Sequence, residues 1–195
     1  MPELWLVRHG ETRANLEKRY PQGNAVLTEK GSAQARAIVP FLPLEFERVF
    51  SSPLTRALET AQECGFAVLE LDERLRELEY GVLTGLNWLE IEQKYGPDAL
   101  LWLERVSNPL SNSGIPGGET GKEFHARAQS FLDSLPQGRT LAFTHGGFIR
   151  ALLKGCFDLS AVDLEPGSLT VLRKMGDVWG LSSLNVYRFS TPELG

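Results

Sequence analysis

The chain has 195 residues, of which 42% are hydrophobic and 23% charged, as expected of one soluble globular domain large enough to bury its own core. A formal net charge of −5 argues against a nucleic-acid or membrane-surface partner but permits a local basic pocket. Cys64 and Cys156 lie far apart without metal-type spacing and are expected to be reduced packing residues; no apolar stretch could span a bilayer, and Met1-Pro2-Glu3 carries no cationic leader, so a cytoplasmic location is expected.

In chain order, the apolar run at residues 3–7 predicts a buried strand. Thr28 is placed to cap a helix reaching to about residue 42, with Ala35, Ile38, Phe41 and Leu42 on one face. Residues 48–51 predict a second strand, and Ser52-Pro53 an N-cap and first helical position for a helix to about residue 64. A third strand is expected at 67–71. Residues 81–118 are less regular, with helices expected near 87–95 and 98–106 before the loop "SNPLSNSGIPGGET". Helical period returns over 119–135, on the stripe Phe124, Ala128, Phe131, Leu132 and Leu135. A strand at 139–144, a helix at 147–156 and a strand pair at 168–174 and 178–186 complete the chain.

Strands alternating with helices predict an α/β fold, a mostly parallel sheet covered on both faces. Ligands of such sheets bind beyond the carboxyl ends of the strands. The residues there are Arg8-His9-Gly10, Ser51-Ser52-Pro53 and Thr144-His145-Gly146-Gly147, and they include two of the three histidines. His125, in a polar part of a helix, is read as a surface residue. Arg8 directly follows a buried strand, where an unpaired charge would be costly. Arg56 sits one turn into its helix and can reach back over the N-terminus, where free N–H groups favour anions. Imidazoles among guanidiniums suit phosphoryl chemistry: a neutral histidine can attack phosphorus, while the cations stabilise the transition state. A leaving alkoxide needs a proton, which Glu77 or Glu79 of "ERLRELEYG" could supply; the residues alone do not choose between them. No cluster has metal-ligand spacing, so no metal and no cofactor is expected.

The ordered set "LVRHGET", "LTEKGSAQA", "SSPLTRALETA", "LRELEYGVLTGL", "PGGET" and "THGG" resembles the histidine phosphatase superfamily, also called phosphoglycerate mutase-like, over residues 4–153. The resemblance implies a single domain over 1–195: a three-layer α/β/α sandwich around a mostly parallel sheet, with a lid insertion at about 81–118. It implies His9 as the phosphorylated nucleophile, with Arg8, Arg56 and His145 binding the phosphoryl group and the Gly146 main chain assisting. Asn15, Gln22 and Gly23 match positions lining the same pocket, Arg13 a less constant one. Glu77 aligns with the proton donor. Glu79 stands where many relatives carry histidine, a departure expected to affect the surroundings of the site more than its mechanism.

The family holds both phosphatases and mutases. A mutase must hold a second phosphate, yet residues 81–118 contain only Lys94 and Arg105 as cations. They are rich instead in Trp88, Leu89, Ile91, Tyr95, Leu101, Trp102 and Leu103. Family mutases also commonly read His-Gly-Asn where this chain has His145-Gly146-Gly147. The expected activity is therefore hydrolysis of a small phosphorylated metabolite. The alternatives are a cofactor-dependent phosphoglycerate mutase and, from another class, an inactive phospho-ligand binding module.

Overall fold

The computed structural model describes residues 1–188. Its strands are β1 (Pro2–Arg8), β2 (Arg48–Ser51), β3 (Glu70–Leu71), β4 (Gly138–Thr144), β5 (Leu169–Met175) and β6 (Val178–Val186). They form one six-stranded sheet in the order β3-β2-β4-β1-β5-β6. The first four are parallel, β5 is antiparallel to β1, and β6 returns beside β5 as a hairpin. The helices are α1 (Arg13–Leu16), α2 (Glu29–Ile38), α3 (Thr55–Glu63), α4 (Trp88–Tyr95), α5 (Asp98–Ser107), α6 (Gly121–Asp133) and α7 (Gly146–Phe157).

The two-residue period of β1 creates the layers. Leu4 and Leu6 face one core with Phe131 and Leu152, beneath α6 and α7. Trp5 and Val7 face the other with Ala35, Ile38, Ala57 and Phe143, beneath α2 and α3. Phe131 and Phe143 are fully buried on opposite faces, and truncating either to alanine would cost about 3–5 kcal/mol. Cys64 donates to the Ala35 carbonyl at 3.1 Å, and burial pushes its thiol up to about 12, so it packs rather than reacts. No helix among the described residues is long and apolar enough to cross a membrane.

The boundaries differ from expectation where a side chain has other work. α2 stops at Ile38, because Pro40 cannot continue an α-helix; the chain tightens into a 3-10 turn over Val39–Phe41. α3 opens at Thr55 rather than at Pro53, since Leu54 is extended; the Ser52 hydroxyl accepts from the Leu54 amide at 3.3 Å and also meets His145. β3 is only Glu70–Leu71, an exposed edge strand, and Val68 lies outside it in solvent. α1 was not expected; it is a single turn closed by a capping box between Thr12 and Asn15. In residues 81–118 the two helices form, and Ile91 is fully buried while Tyr95 and Trp102 stack edge to face at 5.2 Å.

Candidate active site

β1 and β4 are parallel neighbours in the register Arg8↔Thr144, so the residues that follow them emerge side by side. The His9 amide donates to the Thr144 carbonyl at 2.9 Å, and the His9 and His145 ring centroids lie 5.2 Å apart. Gly10 serves a close approach rather than a special turn: a Cβ there would lie 2.3 Å from the Gly31 carbonyl oxygen in α2. The glycine of "LTEKGSAQA" thus packs directly against the loop that carries His9.

His9 Nδ1 lies 2.7 Å from the Gly10 carbonyl, which can only accept, so Nδ1 carries the proton. The neutral ring then keeps its lone pair on Nε2. Burial first, then the positive charges of Arg56 and Arg8, hold this imidazole well below its ordinary pKa. It is therefore neutral at pH 7 and lines a cavity of about 250 Å³. His145 is also pushed well below the ordinary value, by burial and then by Arg56 and His9. Its Nε2 lies 2.8 Å from Ser52 Oγ.

Three buried nitrogens around these rings have no protein partner: Arg8 Nε, Arg56 Nε and His145 Nδ1. Buried polar groups are normally paired, and a tetrahedral oxyanion would give all three an acceptor. Their remaining contacts fix them from behind. Arg8 Nη1 donates to the Leu164 carbonyl, and Arg56 Nη1 to that of Gln22 at 3.0 Å. α7 begins at Gly146, beside Arg8, and adds a helix N-terminus to the same wall.

Glu77 is the one carboxylate among the described residues lining the His9 cavity. Its Oε1 accepts from the Leu78 amide at 3.0 Å and its Oε2 from the Gly147 amide at 3.3 Å. A Cβ on Gly147 would lie 2.1 Å from Glu77 Oε1, so this glycine makes room for the carboxylate. Glu79 is exposed, at the rim of the neighbouring cavity that Glu77 and Arg56 also line, with its amide bound to Glu119.

The sequence reading missed Arg127. It donates to the carbonyls of Arg74, Arg76 and Glu77 at 2.8, 2.7 and 3.0 Å, and its Nε pairs with Glu119 at 2.7 Å. It thereby ties the segment carrying Glu77 to α6 and to the "PGGET" motif. A signal existed: Arg127 lies three residues after Phe124, inside the apolar stripe of its helix, where a charge needs partners.

The family model described as "Histidine phosphatase superfamily (branch 1)" matches residues 4–187. The chain belongs to the histidine phosphatase superfamily. It is 36% identical over 180 residues to the 2,3-bisphosphoglycerate-dependent phosphoglycerate mutase 2 of Gloeobacter violaceus, covering 85% of this chain and 80% of the relative. It is 31% identical to the protein named "Putative phosphoserine phosphatase 2" of Hydrogenobacter thermophilus, covering 95% and 96%. Among solved structures, TTHB049 from Thermus thermophilus is 36% identical with a TM-score of 0.73, covering 88% of this chain and 93% of that one.

Of the other residues expected at the site, Asn15 lines the His9 cavity from α1, with its Oδ1 held by Thr12. Gly23 lines a neighbouring cavity with Arg56 and Glu77. Gln22 is exposed and meets the site through its carbonyl. Arg13 is exposed and pairs with Glu17 at 2.6 Å. His125 is not a surface residue: it is half-buried and walls a cavity beneath α5. Counting cations in residues 81–118 was too narrow. Lys94 and Arg105 line none of the cavities at the site, whereas Lys18, Arg19 and Arg150 reach the His9 cavity from other elements. Arg19 is occupied by Glu90, at 2.6 and 3.0 Å. Among the described residues, no group of three His, Cys, Asp or Glu side chains could hold a metal ion.

Proposed function

We propose that this chain is a metal-independent phosphomonoesterase acting on a small phosphorylated metabolite through a phosphohistidine at His9. The observation that carries this reading is the set of three unpartnered buried nitrogens around a neutral imidazole whose Nε2 is free. Arg8, Arg56, His145 and the Gly146 main chain hold the phosphoryl oxygens, and Asn15, Gln22 and Gly23 complete the rim. His9 Nε2 attacks phosphorus in line as the ester P–O bond breaks. Glu77 gives its proton to the departing alkoxide. It then takes a proton from water as that water attacks phosphorus and the P–N bond breaks, releasing phosphate and restoring His9.

Hydrolysis is favoured over mutation because two of the cations that reach the cavities from other elements are already paired, Arg19 with Glu90 and Lys154 with Asp158, and residues 81–118, the proposed lid, add no charge to them. The mutase reading is supported by the names of relatives such as that of Gloeobacter violaceus. One experiment separates the two. The protein is incubated with p-nitrophenyl phosphate and with 3-phosphoglycerate, with and without 2,3-bisphosphoglycerate, in EDTA. Phosphate release that survives EDTA and outpaces formation of 2-phosphoglycerate is expected. Efficient interconversion with little phosphate release would establish the mutase. Phosphate binding without turnover would establish a binding module.

A further inference from the structure

A second cavity of about 250 Å³ lies between α5, α6 and α7, and the proposed chemistry gives it no role. It adjoins the His9 cavity, since Tyr20, Tyr80 and Arg150 line both. Its walls are apolar and aromatic, with Leu103 and Val106 from α5 and Phe124 from α6. Two cations, Arg150 and Lys154, project from α7, and no carboxylate lines it among the described residues. Arg150 donates its Nε to the Val162 carbonyl at 2.9 Å, which anchors the stem and leaves the head of the guanidinium toward the cavities. Lys154 is shared with the exposed Asp158 at 2.5 Å.

We propose that this cavity receives the alcohol half of the substrate. That half is an apolar body about the size of a ring, ending in an anionic group, carboxylate or phosphate, held by Arg150 and Lys154. The inference rests on the reading of His9 as nucleophile and Glu77 as acid. In an in-line displacement the leaving oxygen stands opposite the attacking nitrogen, next to the acid that protonates it. Glu77 occupies the border between the cavities: its carboxylate accepts from the Gly147 amide, and both Gly147 and Leu78 line the second cavity. An alcohol leaving past Glu77 therefore enters an apolar chamber with positive charge at one side. A further cavity on Glu77's other flank also has apolar walls in Pro21, Leu54 and Tyr80, but Arg56, Arg76 and Glu79 line it too, so it offers an apolar body less than the second cavity does.

The test measures binding of non-hydrolysable phosphonates to the intact protein by calorimetry. The probes are benzylphosphonates bearing para-carboxymethyl, para-phosphonomethyl or para-ethyl groups. The anionic probes are expected to bind about 10–100-fold more tightly than the ethyl probe, as one or two charge-assisted hydrogen bonds allow. Whichever anionic probe binds better identifies the terminal group. Arg150→Gln should shrink that ratio. Val106→Trp should weaken all three probes relative to inorganic phosphate, whereas Thr84→Trp, in the other cavity, should not. Equal affinity of the ethyl and anionic probes for the unmodified protein, or weakening by Thr84→Trp alone, would overturn the assignment. The matching benzyl phosphates are assayed in parallel. Discriminating binding without hydrolysis would sink the phosphomonoesterase reading while leaving the cavity's role intact.

Discussion

The ends of β1 and β4 invite comparison because they are so alike. Both strands are apolar, parallel and adjacent, and both close on histidine followed by glycine. The hydrogen bonds then separate them. His9 spends Nδ1 on a carbonyl and keeps Nε2 for the cavity, while His145 has Nε2 beside Ser52 and a buried, unpartnered Nδ1. On the proposed reading, the same side chain serves as nucleophile at one end and as donor to an anion at the other. The lesson is that the second ring nitrogen's partner, rather than the residue type, assigns a histidine's task.

The hardest way to break that comparison is to exchange the two losses. His9→Ala should reduce turnover by on the order of 10⁵-fold, because no other group can carry the phosphoryl. It should keep part of its vanadate affinity, because the arginine cradle remains. His145→Ala should leave a slow, still His9-dependent enzyme. Denaturing, acid-free quenching with ³²P-labelled substrate should trap label that is acid-labile and base-stable, mapped to His9. Label on His145, or substantial turnover by His9→Ala, would reverse the assignment of the two ends.

The next effect concerns what the β4 end houses. Glu77→Gln should slow alkyl phosphates by roughly 10²–10⁴-fold and p-nitrophenyl phosphate much less, since the latter's leaving group needs little protonation. Glu79→Gln should do little. Gly147→Ala should imitate Glu77→Gln in milder form, because the added Cβ must displace the carboxylate. A uniform loss across leaving groups in Gly147→Ala would mean that the glycine serves the phosphoryl pocket instead.

A third effect sharpens the role of the donor. Losing one preorganised donor to a developing oxyanion costs about 10²–10³-fold in kcat. His145→Ala should fall in that range equally for good and poor leaving groups. Ser52→Ala should cost less, since it removes only the group that orients the ring. The ratio of rates on alkyl and aryl phosphates, unchanged in both variants, is the readout; a leaving-group dependence like that of Glu77→Gln would assign His145 to proton transfer.

The strand ends were legible because β1 and β4 are short apolar runs that stop at His-Gly, and parallel sheets concentrate ligands there. Arg56 was legible from its place near a helix N-terminus, whereas the choice of Glu77 over Glu79 needed the family resemblance, since a carboxylate in a charged stretch looks the same whether it is solvated or aimed. Three features were hidden for a physical reason: each depends on contacts between distant segments. Ser52 reads as a helix cap until His145 approaches it. Arg127 reads as a helix cation until the carbonyls of Arg74, Arg76 and Glu77 are seen to converge on it. His125 reads as polar surface until α5 is laid over it.

The smallest effect is on stability, and it treats the two histidines as equals. Both folded imidazoles have pKa values well below the ordinary one, chiefly because burial disfavours their charged form. In the unfolded chain each titrates near 6.5. Between that value and the depressed folded value, the unfolded state binds a proton that the folded state refuses. Stability is therefore fully present above pH 6.5 and is lost as the pH falls below it, until the folded values are reached. The slope is about 1.4 kcal/mol per pH unit for each fully responding imidazole. Urea unfolding at pH 7 and pH 5.5 in phosphate-free buffer should show the loss. His9→Asn and His145→Asn should each remove part of the imidazole share, with carboxylate contributions cancelling in the difference; the part that survives both belongs to half-buried His125, whose pKa burial also lowers. Inorganic phosphate, which introduces negative charge between the rings, should flatten the dependence by favouring their protonated forms. If one variant removes the whole acid sensitivity and the other none, the two ends differ in burial as well as in bonding. The shared desolvation inferred for both would then be wrong.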